Sequence, residues 1–232
     1  MLRKFIKFTP NVFTLSSLFL GCSSVVSSFS RDFEAAFVLI LLAAVVDFLD
    51  GFVARLLNAT SELGAQLDSL SDVVSFGVAP GIMCFCFAQD CGLGFWAYLA
   101  FLFPMMTAYR LARFNISGVS THFVGLPSPA AGIYLSMGCL IFLTRPELAA
   151  FLGNDRAMLL LGLSFFIGLL EVSNIKFLSL KFDAKLNTSQ LLVVAVSVVF
   201  IGIGTFFYRE LLIFFIFTIY ILFSTLRSIL KF

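Results

Sequence analysis

The stretch Asp47-Phe48-Leu49-Asp50-Gly51-Phe52-Val53-Ala54-Arg55, followed after eight residues by Gly64-Ala65-Gln66-Leu67-Asp68-Ser69-Leu70-Ser71-Asp72, decides how this 232-residue chain is read. It gathers four carboxylates into a short segment of a protein in which only 12% of residues are charged. Asp47 and Asp50 are spaced i, i+3, and Asp68 and Asp72 are spaced i, i+4, so on helices each pair shares one face. Both flanking segments are apolar enough to be membrane helices, where ionised groups are costly unless they pair or hold a cation. Four convergent acids repel one another without a divalent metal between them. The stretch therefore calls for a metal.

Working outward, composition sets the solvent. The chain is 60% hydrophobic with a mean hydropathy of +1.06. A soluble domain of this size cannot hide that much apolar surface, so an all-α integral membrane protein is expected, with lipid around most of it. The net charge is +2, and the basic residues form no cluster of the kind that binds nucleic acid. Cys22, Cys84, Cys86, Cys91 and Cys139 are odd in number and lack C-x-x-C spacing. They read as small packing residues, not as a disulfide framework or zinc site. Arg3, Lys4 and Lys7 precede an apolar segment, as in a signal peptide, and Leu18-Phe19-Leu20-Gly21-Cys22 has a passing likeness to a lipoprotein cleavage site. The apolar run continues to Phe29, however, and is long enough to span.

Eight candidate spans are expected, each near the roughly 20 residues a bilayer requires: about 12–30, 33–57, 64–88, 94–115, 127–144, 157–174, 189–208 and 211–230. No stretch is long or polar enough for a soluble domain and no repeat is visible, so residues 1–232 read as a single membrane domain. Lys and Arg placement orients it. With a cytoplasmic N-terminus, that side carries Arg3, Lys4, Lys7, Arg55, Arg110, Arg113, Lys176, Lys181, Lys185, Arg227 and Lys231. The other side carries Arg31, Arg145, Arg156 and Arg209. Both termini are then cytoplasmic, and the four aspartates sit at the cytoplasmic ends of spans two and three. The site opens to the cytosol from the cytoplasmic membrane.

Gly51 directly follows Asp50, and Gly64 lies one turn before Asp68, so a ligand or neighbouring backbone can approach closely there. Arg55 is one turn beyond Gly51, and a guanidinium takes phosphate bidentately. Metal-binding acids beside such an arginine suit a metal-bridged diphosphate, with a remaining carboxylate free to accept a proton from an attacking hydroxyl. The bland alternative is that the acids pair with Arg55 or line a proton or ion pathway.

The pattern D-x-x-D-G-x-x-A-R-x8-G-x3-D-x3-D, carried by Asp47, Asp50, Gly51, Ala54, Arg55, Gly64, Asp68 and Asp72, resembles the signature of the CDP-alcohol phosphatidyltransferases at all eight positions. The resemblance implies that the aspartates bind one or two Mg²⁺ or Mn²⁺ ions, that Asp72 is also the base, and that Gly51, Arg55 and Gly64 help hold the CDP moiety. Pro10-Asn11-Val12-Phe13-Thr14 is similar to the P-N-x-x-T opening of these enzymes, which puts Asn11 and Thr14 beside CDP. The bland reading makes Asn11 a helix cap.

The acceptor alcohol is a second question. Arg110-Leu111-Ala112-Arg113-Phe114-Asn115 and Phe123-Val124-Gly125-Leu126-Pro127-Ser128-Pro129-Ala130-Ala131 resemble the motif pair of the serine-using members of that family, the integral-membrane phosphatidylserine synthases. With the earlier motifs, this likeness covers roughly residues 10–135. It implies phosphatidyl transfer from CDP-diacylglycerol to L-serine, with phosphatidylserine and CMP as products. Arg110 and Arg113, spaced i, i+3 at the cytoplasmic end of span four, can clamp a serine carboxylate; equally, they can be interfacial anchors or hold glycerol 3-phosphate. Transfer to glycerol 3-phosphate or inositol is the alternative within the class, and a cation-transporting membrane protein the alternative outside it. Clustering of all four acids at one side of two adjacent spans favours the enzyme. His122 is the only histidine, which excludes a paired-histidine nucleophile within one chain. Ser128 between two prolines reads as turn chemistry. The Gly77-Val78-Ala79-Pro80-Gly81 spacing allows close helix contact, either within the monomer or at a homodimer seam. Glu171 and Asp183 have no partner visible in the sequence.

Overall fold

The computed structural model describes residues 2–57, 59, 61–117, 125–153, 155–175 and 218. Described residues form helices and short connections only. The first pair is α1 (Leu2–Phe29) and α2 (Phe33–Leu56), joined by a tight turn in which Arg31 takes a positive φ of 64°. Asp32 caps α2 by accepting from the backbone of Ala35 at 3.0 Å, and Glu34 and Arg55 lie at the ends where the helix dipole favours their charges. At 1.5 Å per residue, the 24 residues of α2 reach about 36 Å, enough to cross a bilayer.

Ser61 caps the next helix through the backbone N–H of Gly64 at 3.0 Å. From there α3 (Glu62–Asp72), a π-helical segment (Val73–Val78) and α4 (Ala79–Asp90) run on as one 29-residue rod. The π-helical segment sits just before Pro80, which has no N–H to offer the carbonyl of Phe76 and which disturbs the preceding turn. Gly132 lies against that carbonyl: a Cβ there would fall 2.6 Å from Phe76 O. A 3₁₀ segment (Gly94–Phe101) leads into α5 (Leu102–Ser117), and α6 (Ser128–Thr144), α7 (Pro146–Leu152) and α8 (Asp155–Val172) complete the described chain.

Serine hydroxyls fasten the first three helices together. Ser17 and Ser24 on α1 donate to Ala43 O and Ala36 O on α2, at 3.1 and 2.8 Å. Ser71 and Ser75 on the third rod donate back to Thr14 O and Ser17 O on α1, at 3.1 and 3.0 Å. Small residues and hydroxyls do this work in membranes because lipid supplies no hydrophobic drive between helices. The main core, with Met83, Phe87, Phe103, Leu126, Leu135, Met137, Leu160 and Ile167, lies between α4, α5, α6 and α8. Phe19, Val26, Val45, Phe48 and Phe52 face outward, as lipid contact requires.

Helix segments answer to the expected spans 12–30, 33–57, 64–88, 94–115, 127–144 and 157–174, with the start of the fourth wound as 3₁₀. By length and composition, three described stretches suffice to cross a membrane: Thr9–Phe29, Phe33–Leu56 and Glu62–Asp90. The last two expected spans, together with Lys176, Lys181, Lys185, Arg209, Arg227, Lys231, His122 and Asp183, lie outside the described residues. Gly77 and Gly81 pack on Pro104 and Thr107 of α5, so their close contact is made within the chain. The five cysteines are free thiols, four of them buried.

Candidate active site

Asp47 and Asp50 project from the last turns of α2, and Asp68 and Asp72 from the last turns of α3. The two helices are linked by only Leu57–Ser61, and both pack on α1, so the i, i+3 and i, i+4 pairs face each other. Carboxylate oxygens of Asp47, Asp50 and Asp68 all lie within 4.8 Å of one another. The Asp47 carboxylate also lies against those of Asp68 and Asp72. Asp47 Oδ1 and Asp72 Oδ1 are buried with no hydrogen-bond partner. No direct ion pair joins Arg55 to any of the four acids, although its charge acts on Asp50. Acceptor-only groups, crowded together with orphaned oxygens, have the donor chemistry that could hold a divalent cation. Away from this cluster, Arg31, just past the C-terminal end of α1, pairs with Asp90 at the C-terminal end of α4, at 2.8 Å.

Beside the acids opens a cleft of about 200 Å³, lined by Pro10, Asn11, Thr14, Asp50, Gly51, Ala54, Arg55, Ala59, Ser61, Gly64, Ala65 and Asp68. All five residues assigned to CDP from the sequence are in it: Asn11, Thr14, Gly51, Arg55 and Gly64. The Arg55 guanidinium passes over Gly51, 3.5 Å from where a Cβ would stand. Asn11 Oδ1 would lie 3.3 Å from a Cβ on Gly64, a close approach that a larger residue would crowd.

Two of these residues show local roles that the sequence left open. Asn11 does not cap α1, because the helix already begins at Leu2 and runs through Pro10; Asn11 is buried inside it. Thr14 donates its single hydroxyl proton to Asp50 Oδ2 at 2.6 Å, with Pro10 O farther away at 3.2 Å. It therefore orients a carboxylate as well as lining the cleft.

The two arginines of α5 separate. Arg110 is 6% exposed, and its Nη1 donates to Ser128 Oγ at 2.8 Å, while its Nε has no partner. Its charge is within electrostatic reach of Asp72. Arg113 Nη1 donates to Val172 O at the end of α8, at 2.9 Å. Asn115, the last residue of the same motif, donates to Ser69 Oγ at 3.0 Å and so ties the end of α5 to α3 between Asp68 and Asp72. Ser128 is the first residue of α6 and is fully buried, so it is more than turn chemistry: it holds Arg110. Sequence reasoning left out Thr107 and gave Glu171 no partner. Both are fully buried, and Thr107 Oγ1 donates to Glu171 Oε2 at 2.6 Å. The available signals were an acid inside an apolar span and a threonine three residues before Arg110 on the same helix face.

Fold and site together define a helical membrane protein with a cluster of acids beside a cleft. The family described as CDP-alcohol phosphatidyltransferase matches residues 7–170, and the chain belongs to it. Its relatives include the CDP-diacylglycerol–serine O-phosphatidyltransferase of Helicobacter pylori strain J99, 38% identical over 201 residues, covering 83% of this chain and 81% of that protein. The Bacillus subtilis protein of the same name is 34% identical over 182 residues, covering 78% and 95%. That of Methanocaldococcus jannaschii is 40% identical over 143 residues, covering 61% and 63%.

Proposed function

We propose that this chain is a CDP-diacylglycerol–serine O-phosphatidyltransferase, which moves a phosphatidyl group from CDP-diacylglycerol to the hydroxyl of L-serine and releases CMP. The observation that carries the reading is the acidic cluster with orphaned buried oxygens beside a cleft containing Arg55, in a chain similar over most of its length to serine phosphatidyltransferases.

Asp47, Asp50, Asp68 and Asp72 would hold Mg²⁺ or Mn²⁺, with room in the donor set for two ions. Bound there, such ions polarise the phosphoryl group and stabilise the charge of the departing phosphate. The protein's own groups do the rest. Arg55 takes the diphosphate, while Asn11, Thr14, Gly51 and Gly64 shape the cleft for the cytidine end. Arg110 takes the serine carboxylate. Asp72 stands at the junction of the acidic cluster and Arg110, where it accepts the proton of the serine hydroxyl as that oxygen attacks the phosphorus. The bond formed is phosphorus to serine oxygen, the bond broken is phosphorus to the CMP oxygen, and CMP leaves with the electron pair. Direct transfer needs no nucleophile from the chain.

Eight spans with both termini in the cytosol, one membrane domain over residues 1–232, a site facing the cytosol of the cytoplasmic membrane, and a homodimer remain part of this reading. The excess of Lys and Arg on one side supports the orientation. Purified protein with CDP-diacylglycerol is expected to release CMP when L-serine is added, and not with glycerol 3-phosphate or inositol. A chelator is expected to abolish that release, and Mg²⁺ or Mn²⁺ to restore it. Release with glycerol 3-phosphate or inositol alone would refute the acceptor, and full turnover in metal-stripped protein would refute the site.

A further inference from the structure

Beside Arg110 lies a buried carboxyl group that the transfer reaction, as described, does not use. Glu171 of α8 is 0% exposed, and its Oε2 is held by Thr107 at 2.6 Å. Ser128 also faces this carboxylate, but no well-formed hydrogen bond reaches Oε1, which is buried and unpartnered. On the other side, Arg110 Nε is a buried N–H donor without an acceptor. Arg110 is within electrostatic reach of Glu171, yet no ion pair closes between them. An arginine and a glutamate enclosed at short range normally collapse onto each other, because leaving either uncompensated in a low dielectric is costly. Here Thr107 holds Glu171 from one side, and Ser128, which accepts from Arg110, stands between Arg110 and the carboxylate.

The backbone around the pair is equally constrained. Gly125 has a φ of 84°, its N–H donates to Ile175 O at 2.9 Å, and a Cβ there would collide with Glu171 O. Leu126 N–H donates to Leu170 O at 3.1 Å. Thus Gly125-Leu126-Pro127-Ser128, whose likeness to serine-using enzymes pointed to the acceptor, is built directly onto Arg110 and Glu171. A free donor and a free acceptor on opposite charges, held apart, complement a ligand carrying both charges.

We propose that Glu171 binds the ammonium group of the acceptor amino acid, so that Arg110 and Glu171 together read a zwitterion. Glu171 is then a specificity-determining residue. Acceptors with a carboxylate or phosphate alone leave it buried and uncompensated, which discriminates far more strongly than a missing contact in water would. This rests on the serine reading above.

The test is Glu171→Gln, which preserves volume and the contact with Thr107 while removing the charge. The serine KM of this variant is expected to rise by about 10- to 100-fold. The competing acid 3-hydroxypropanoate, which lacks the ammonium group, is expected to bind the variant as tightly as wild type or more tightly, since no buried carboxylate then opposes its own, and CDP-diacylglycerol affinity without serine is expected to hold. A serine KM that does not change, or a KM and Ki that change by the same factor, overturns the proposal. Should Glu171→Gln lose donor binding, Thr107→Val decides, because it frees Oε2 but keeps the carboxylate. A serine KM raised against an unchanged Ki supports the proposal, and an unchanged serine KM overturns it. Wild-type protein that releases CMP with another acceptor but not with serine overturns the serine reading itself. A serine-active wild type with an indifferent Glu171→Gln overturns only this inference.

Discussion

Replacing Thr14 by valine tests whether the acidic centre is held in shape from α1. The Thr14 hydroxyl donates to Asp50 Oδ2 at 2.6 Å, and both residues are buried, at 4% and 6% exposed. Hydrogen bonds to a charged acceptor contribute about 1.5–3 kcal/mol. At about 1.4 kcal/mol per factor of ten, losing this one weakens whatever depends on Asp50 by roughly 10- to 150-fold. Valine nearly matches threonine in shape, so packing against α2 changes little. Partners that orient ligating carboxylates typically affect metal affinity by about 10- to 100-fold, which agrees with the hydrogen-bond figure. The assay is CMP release at saturating CDP-diacylglycerol and serine as the concentration of Mg²⁺ or Mn²⁺ is varied. Thr14→Val should need about 10- to 100-fold more metal for half-maximal rate, while Thr14→Ser, which keeps the hydroxyl, should stay near wild type. A Thr14→Val protein with the wild-type metal requirement would refute the claim that this hydroxyl organises the site.

Asp72→Asn should lower kcat by about 10²- to 10⁴-fold while CDP-diacylglycerol still binds, whereas Asp47→Asn and Asp68→Asn should also lose metal-dependent donor binding; the check is donor titration beside turnover. Arg110→Lys should raise the serine KM by about 10-fold or more, because a point charge replaces a planar fork, and Arg113→Lys should act on the docking of α8 and leave the serine KM within a few-fold. An equal effect of the two on serine KM would contradict the separation seen between them. Gly132→Ala should cost about 1–3 kcal/mol, because its Cβ would stand 2.6 Å from Phe76 O and a backbone atom must yield. Thermal unfolding in detergent measures this, and an unchanged midpoint would show that the π-helical segment gives way freely.

Much of this protein was legible in its sequence. Hydropathy and spacing alone place Asp47 and Asp50 on one helix face and Asp68 and Asp72 on another, because helical periodicity is local and needs no tertiary information. The demand for a cation follows from the same four residues, since crowded acids in an apolar chain have few other stable arrangements. The cleft residues Asn11, Thr14, Gly51, Arg55 and Gly64 were likewise found by motif, and they do converge.

Only the tertiary structure decided what each polar group is bonded to. Thr14 was assigned to the nucleotide cleft, which it lines, and a helix packed against it thirty-six positions on in sequence also gives it Asp50. Arg110 and Arg113 look equivalent at i, i+3, yet one turns to Ser128 and the other to the end of α8. Glu171 was an unplaced acid until α5 brought Thr107 and Arg110 to it across more than sixty residues. The reason is the range of the forces. Secondary structure and burial pattern answer to neighbours three or four residues away, whereas a buried hydrogen bond is satisfied by whichever chain segment packing delivers, and no local spacing records that choice.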